Sequence, residues 1–253
     1  MYKQTFEPIG TGKWIEFGQT HFEDKSGKKM TWEMIRRIGC NDKVQAVEII
    51  PLLIKKDKDP QLILVKQYRA PCNSNTIEFP SGLVGSDETP ESSAIRELWE
   101  ETGYTAKLPA ISVKEESKFH DESSSSTSSS SVPFVAEDTS AKDLQSMGRI
   151  SKLRVPNPAT SPTRMLMVTL YIDGDLPEND NPKTHCQIEE GEETHTILLT
   201  LDDQVTERLN RLSDEEHTVV ESRVGTFIEG FVASRVLLQM TKEPCLCINE
   251  KKD

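Results

Sequence analysis

Glu97, Glu100 and Glu101 stand together in the run RELWEETG, residues 96–103, on little more than one helical turn. Like charges three and four positions apart on a helix repel one another. The cluster is therefore either a solvated acidic face or a seat for something cationic. Carboxylate oxygens are the donors that hard divalent ions prefer, and such ions keep positions open for waters and substrate phosphates. At about 100° per residue the three glutamates share an arc of about 100°. Ile95, Leu98 and Trp99 fall opposite as an apolar stripe that should face a core, Trp99 included. Arg96 can brace or neutralise carboxylates, and Gly82 ends a strand-like run where main-chain oxygens could approach the same ion. Several carboxylates on one rigid helix suit the cleavage of a phosphate ester or pyrophosphate.

The helix that must carry these groups is bounded by sequence. Thr89 is a good N-cap, Pro90 suits the first helical position and Gly103 suits the C-terminal cap. Ahead of it, VQAVEIIPLLI (44–54) and QLILVKQY (61–68) read as buried strands joined by KKDKDP. TIEFPSGLV reads as a short strand ending in a Pro-Ser-Gly turn. Behind it, RMLMVTLYI (164–172) and THTILLTL (194–201) are strands, and 202–212 is an amphipathic helix with Val205, Leu209 and Leu212 inward. A second helix is predicted from about Glu216 to Met240, with Val220, Val224, Phe227, Phe231 and Leu238 on its inner side. Strands interleaved with helices give an α/β or α+β domain with a mixed sheet. That domain spans 44–248.

Residues 1–43 read as short strands, WIEFGQTHFED and MTWEMIRRI flanking the hairpin signal SGKK. The piece is too small to bury a core alone, so it packs on the main domain or on another subunit. Residues 114–150, with the tract SSSSTSSSS, are too polar to offset their ordering entropy and read as a disordered insertion.

The 253 residues carry a formal net charge of -12, which argues against sequence-independent nucleic-acid binding and against an anionic membrane surface as partner. Five scattered cysteines suit a reducing compartment. No apolar run approaches the roughly 18 residues that span a bilayer. A cytoplasmic or nuclear protein is the expectation.

The stretch GLVGSDETPESSAIRELWEETGY, 82–104, resembles the Nudix box, with Gly82, Glu88, Arg96, Glu97, Glu100, Glu101 and Gly103 at its fixed positions and Leu98 at its first aliphatic position. Tyr104, in the last aliphatic position, is the one departure. TGKW, TWEMIRR, LILVKQYRAP, IEFPSGL and the C-terminal helix are similar to the ADP-sugar (ADP-ribose) pyrophosphatase branch of the Nudix hydrolases, animal type. The resemblance implies an α/β/α sandwich, a homodimer with exchanged N-terminal strands, and hydrolysis of ADP-ribose and related ADP-sugars to AMP and a sugar phosphate. It also implies Mg²⁺ or Mn²⁺, more than one ion per site.

Carried over by position, the metal ligands fall on the Ser81 carbonyl and the carboxylates of Glu97 and Glu101. Glu100 is a bridging ligand or support, Arg96 orients the glutamates, and Glu88 is auxiliary or structural. Trp14 and Trp32, each beside a charged residue, could simply fasten the N-terminal piece. The resemblance makes them an adenine clamp drawn from two subunits, with Glu33 accepting from the adenine amino group. Arg37 and Arg69 suit the diphosphate or terminal ribose, and Leu83 would offer its main chain. The base comes from the loop QIEEGEETHT, where Glu192 is favoured as base or further metal ligand. Glu193 is close behind it, and a merely solvated acidic loop is the other reading. The substrate loop departs from the family at Asn157-Pro158-Ala159: Asn157 can bond a ribose hydroxyl but carries no charge, and Ala159 tolerates positive φ less well than glycine. Rival readings are a Nudix hydrolase for an oxidised nucleoside diphosphate and a nucleotide-binding module without catalysis.

Overall fold

A computed structural model describes residues 4–39, 43–107, 148–184 and 194–242. The N-terminal piece is a three-stranded antiparallel sheet of β1 (Gln4–Thr11), β2 (Ile15–Glu23) and β3 (Lys29–Arg37). Gly27 at φ 81° closes the β2–β3 hairpin, a left-handed conformation that glycine adopts without strain. On β2, Gly18 lets Phe6 and the Glu7 carbonyl lie where a Cβ would stand.

The main sheet joins β4 (Ala46–Ile54), β5 (Gln61–Arg69), β6 (Ser74–Glu78), β7 (Ser81–Leu83), β8 (Arg149–Ile150), β9 (Met165–Asp173), β10 (His195–Thr200) and β11 (Thr218–Val220). Parallel β4–β9 and β6–β11 pairs beside antiparallel neighbours make it mixed. Helix α1 (Pro90–Thr102) covers one face; α2 (Val205–Ser213) and α3 (Ser222–Lys242) cover the other. Val47, Ile49, Ile63, Val168 and Leu170 pack with Ala94 and Leu98 on the α1 side. Leu62, Leu64, Ile77 and Leu199 pack with Val205, Leu209, Val224 and Ile228 on the other. The α/β/α sandwich is thus present.

One local feature places the site. β4 and β5 pair only through Leu52–Leu62 and Leu53–Gln61, beside their common turn. Beyond it they part, and the chain after β5 fills the wedge. β6 lies along β5 from Val65 to Arg69, and β7 lies along β4 from Ala46 to Glu48. The crossing from one flank to the other falls at Phe79–Pro80, and the Pro80 carbonyl accepts from Ile49 N–H at 2.8 Å. Ser81, Gly82 and Leu83 are therefore strand residues beneath α1, not the turn expected from their sequence.

Three other expectations change. Trp99 is 40% exposed. The buried stripe of α1 is Ser93, Ala94, Leu98 and Thr102, rotated one position, because small side chains let the helix approach β4 and β7 closely. The last helix starts at Ser222 rather than Glu216. Thr218, Val219 and Val220 instead form a β-branched strand that pairs with β6, and His217 turns the chain into it at φ 53°. Leu238 is 48% exposed, not inward, as the final turns of α3 run past the core. Of the polar insertion, Arg149 and Ile150 belong to the sheet, and 114–147 lies outside the described residues. Among the described residues no helix is long and apolar enough to cross a membrane.

Candidate active site

The acidic helix is fixed at both ends by the residues that predict it. Thr89 Oγ1 accepts from Ser92 N–H at 3.2 Å, and Ser92 Oγ accepts from Thr89 N–H at 3.0 Å. At the other end Gly103 takes φ 75° and donates to the Trp99 carbonyl at 2.8 Å. A Cβ on Gly103 would also lie 2.1 Å from the Lys183 carbonyl oxygen, so the position excludes side chains twice over.

Arg96 is the hub of the acidic face. Its guanidinium donates to Glu88 at 2.7 and 2.9 Å, to Glu97 at 2.8 Å, to Glu100 at 2.9 Å and to the Leu83 carbonyl at 3.2 Å. Glu88 also accepts from Ser93 Oγ at 2.7 Å and Gly85 N–H at 3.1 Å. Those bonds, Arg96 first, hold its carboxyl down at about 2. Glu88 is thus a fully engaged buttress between the β7–α1 loop and the helix.

Glu97 and Glu101 differ from Glu88. Burial pushes Glu97 above the usual carboxylate range against the pull of Arg96. It pushes Glu101 up to about 8, against a bond from Ser81 N–H. That bond, 3.1 Å to Glu101 Oε2, ties the helix to β7. Gly82 completes the contact: a Cβ there would sit 1.9 Å from the Glu97 carboxyl carbon and from Oε1. The two carboxylates therefore converge on Ser81–Gly82, and the charge of Glu97 adds to the cost of ionising Glu101 in this partly dry niche. Among the described residues no three acidic, histidine or cysteine side chains form a ready cluster of metal ligands. Two desolvated carboxylates beside the Ser81–Gly82 main chain are nevertheless the hard oxygen donor set that a divalent ion takes.

Arg69 reaches the same niche. It grips Glu78 through two bonds of 2.8 and 2.7 Å, and its charge acts on Glu101. Burial raises Glu78, but Arg69 and a short bond from Thr76 outweigh it, and the carboxyl stays below its ordinary value. Sequence reasoning missed Glu78. Its signal was one carboxylate inside the otherwise apolar run TIEFP.

Arg37, Leu83 and Glu88 share the wall of a cavity of about 580 Å³ with Ile38, Lys43 and Ser86. Trp14 stands at this end of the N-terminal sheet, its carbonyl accepting from Ile38 N–H at 3.0 Å and its ring under Lys13 Nζ at 4.6 Å. Trp32 does not. It pairs with Thr20, five rungs along β3 from the Arg37–Ile15 pair, which is about 17 Å of strand. Its indole Nε1–H donates to the Ala159 carbonyl at 2.7 Å, beside Glu33 and near Asn157. Trp14 is 66% and Trp32 56% exposed, so neither is core. Glu192 and its neighbour Glu193 lie outside the described residues.

A strand carrying Ser81–Gly82 under a capped Arg-Glu-x-x-Glu-Glu helix, within this sandwich, is a Nudix arrangement. Residues 43–164 match the NUDIX domain. The chain belongs to the Nudix hydrolase family. It is 32% identical to the ADP-sugar pyrophosphatase of Mus musculus over 219 residues, which covers 86% of this chain and 81% of that one. It is 30% identical to the putative nudix hydrolase 2 of Caenorhabditis elegans over 226 residues, 88% of this chain and 82% of that one. The ADP-ribose pyrophosphatase of Saccharomyces cerevisiae is 26% identical over 225 residues, 88% and 79% of the two chains. A crystal structure of an ADP compounds hydrolase superposes with a TM-score of 0.52 at 16% identity, covering 94% of this chain and 96% of that chain.

Proposed function

We propose that this Nudix hydrolase cleaves the pyrophosphate of ADP-ribose and related ADP-sugars, giving AMP and a sugar phosphate. The observation that carries the reading is likeness to a mouse ADP-sugar pyrophosphatase over more than four-fifths of both chains, well beyond the 43–164 match. Glu97, Glu101 and the Ser81 carbonyl would hold Mg²⁺ or Mn²⁺, with Glu192 as a further ligand. Bound there, the ions would neutralise the diphosphate and lower the pKa of an attacking water. Arg96 keeps the glutamates in place by its own bonds, and Glu100 supports them. Arg69 and Arg37 supply forked donors for phosphate oxygens. Leu83, in the cavity wall with Arg37, would offer its main chain to the substrate. Glu192 orients or deprotonates the water, which adds to the adenosyl phosphorus as the sugar phosphate departs.

Trp14 and Trp32 clamp the adenine, with Glu33 accepting from its amino group and Asn157 near the ribose. Two rings that sandwich one base stand about 7 Å apart, twice an aromatic stacking distance. Trp14 lies one residue beyond the Arg37–Ile15 rung, so more than five rungs separate the tryptophans, more than double that distance. One chain cannot close the clamp, which supports a homodimer whose N-terminal strands are exchanged. The purified protein should release AMP from ADP-ribose with Mg²⁺ and stop with a chelator. Cleavage of an oxidised nucleoside diphosphate in preference, or binding of ADP-ribose without AMP release, would overturn this reading for one of its rivals.

A further inference from the structure

The loop carrying Asn157, Pro158 and Ala159 does more than stand near the ribose. Its turn is closed by the Asn157 carbonyl, which accepts from Thr160 N–H at 3.2 Å and Ser161 N–H at 2.9 Å. The turn aims the Ala159 and Thr160 carbonyls at β3. Thr160 O takes the Ile35 N–H at 2.8 Å, and Ala159 O takes the Trp32 indole N–H at 2.7 Å. The first bond sets the spacing of loop and strand, and the second sets the rotation of one ring. Ala159 is not among the residues with positive φ, so the turn does not need the glycine its family uses there. An alanine narrows the conformations open to the Ala159 carbonyl and keeps its direction fixed.

We propose that residues 157–161 are a positioning element for Trp32. The loop belongs to the main domain, whereas Trp32 belongs to the N-terminal sheet, where it is 56% exposed. The loop carbonyl restrains the ring and leaves its face open for a purine. This rests on the adenine-clamp reading above and deepens it: the departure Asn157-Pro158-Ala159 tunes base recognition through Trp32.

The test is a double-mutant cycle on the full chain. Trp32→Phe keeps an aromatic face and deletes the donor. Pro158→Gly with Ala159→Gly loosens the acceptor. AMP affinity is read by fluorescence quenching, and KM and kcat are read on ADP-ribose. A neutral hydrogen bond of this kind is worth about a five-fold change in affinity. Trp32→Phe should therefore weaken AMP by at least about five-fold, and the loop variant by about three-fold, with KM raised and kcat held. Combined, they should be no worse than Trp32→Phe alone. In nitrogen-labelled free protein the Trp32 indole N–H signal should move in the loop variant while the Trp14 signal stays. A loop variant with wild-type AMP affinity, or one with the same cost in the Trp32→Phe background, overturns the proposal. Wild-type protein that does not bind AMP overturns the clamp itself, and loss of hydrolysis with AMP binding intact strikes only the catalytic reading.

Discussion

Replacing Glu101 by glutamine should make the metal-free protein more stable and the enzyme inactive. Burial raises the Glu101 carboxyl from an ordinary 4.5 to about 8. Between those values the folded chain keeps a proton that the unfolded chain has released. Stability without metal is thus full below about 4.5 and falls as pH climbs towards about 8. At about 1.4 kcal/mol per pH unit the shift sets a ceiling of about 5 kcal/mol, and solvent relaxation brings the expected value nearer 2 kcal/mol. Glu97, raised by burial as well, adds a slope of the same sign. Glutamine keeps an oxygen for the Ser81 N–H and cannot ionise. In chelator, Glu101→Gln should melt about 4–8 °C above wild type at pH 8 and together with it at pH 5, since about 1 kcal/mol moves a chain of this size by 2–4 °C. With Mg²⁺ present, hydrolysis should fall more than about 100-fold, because losing a direct ligand exceeds the loss of an outer one. Calorimetry over pH, paired with AMP release, reads both. Melting that follows wild type at both pH values would refute the desolvation argument, and a folded variant of wild-type rate would refute the ligand.

Two glycines make opposite predictions. Gly82→Ala places a methyl on the Glu97 carboxylate, the movable end of a side chain. It should cost less than about 1 kcal/mol of stability yet cut activity about 100-fold, measured by melting and AMP release on one preparation. Gly103→Ala meets the fixed Lys183 carbonyl at positive φ. It should cost about 2–4 kcal/mol while the folded fraction keeps its rate. A stable Gly103→Ala protein would refute the close approach.

Much of this site was legible because it is local. The caps at Thr89 and Gly103, the i,i+4 periodicity and the carboxylate spacing are properties of consecutive residues, and the helix they define has the bounds they set. What escaped is set by neighbours distant in sequence. Ser81–Gly82 became strand because β4 and β5 part and leave an edge to fill. Trp99 lost its place in the core to Ser93 and Ala94 because close approach to the sheet favours small side chains. Glu78 was hidden by needing Arg69 as partner across a strand pair. The separation of Trp14 and Trp32 follows from hairpin register, which the residue types alone do not fix.

Arg96 has a further consequence, one of timing. It joins Glu88, Glu97, Glu100 and the Leu83 carbonyl through the chain's own bonds, so the acidic helix needs no cation to assemble. If the proposed metal sites are right, starving such a protein of metal should silence it without dismantling it. Recovery then waits on the arrival of ions and the shedding of their water, not on the chain finding its fold again. On that reading, activity can follow rapid swings in free divalent cation without waiting on refolding.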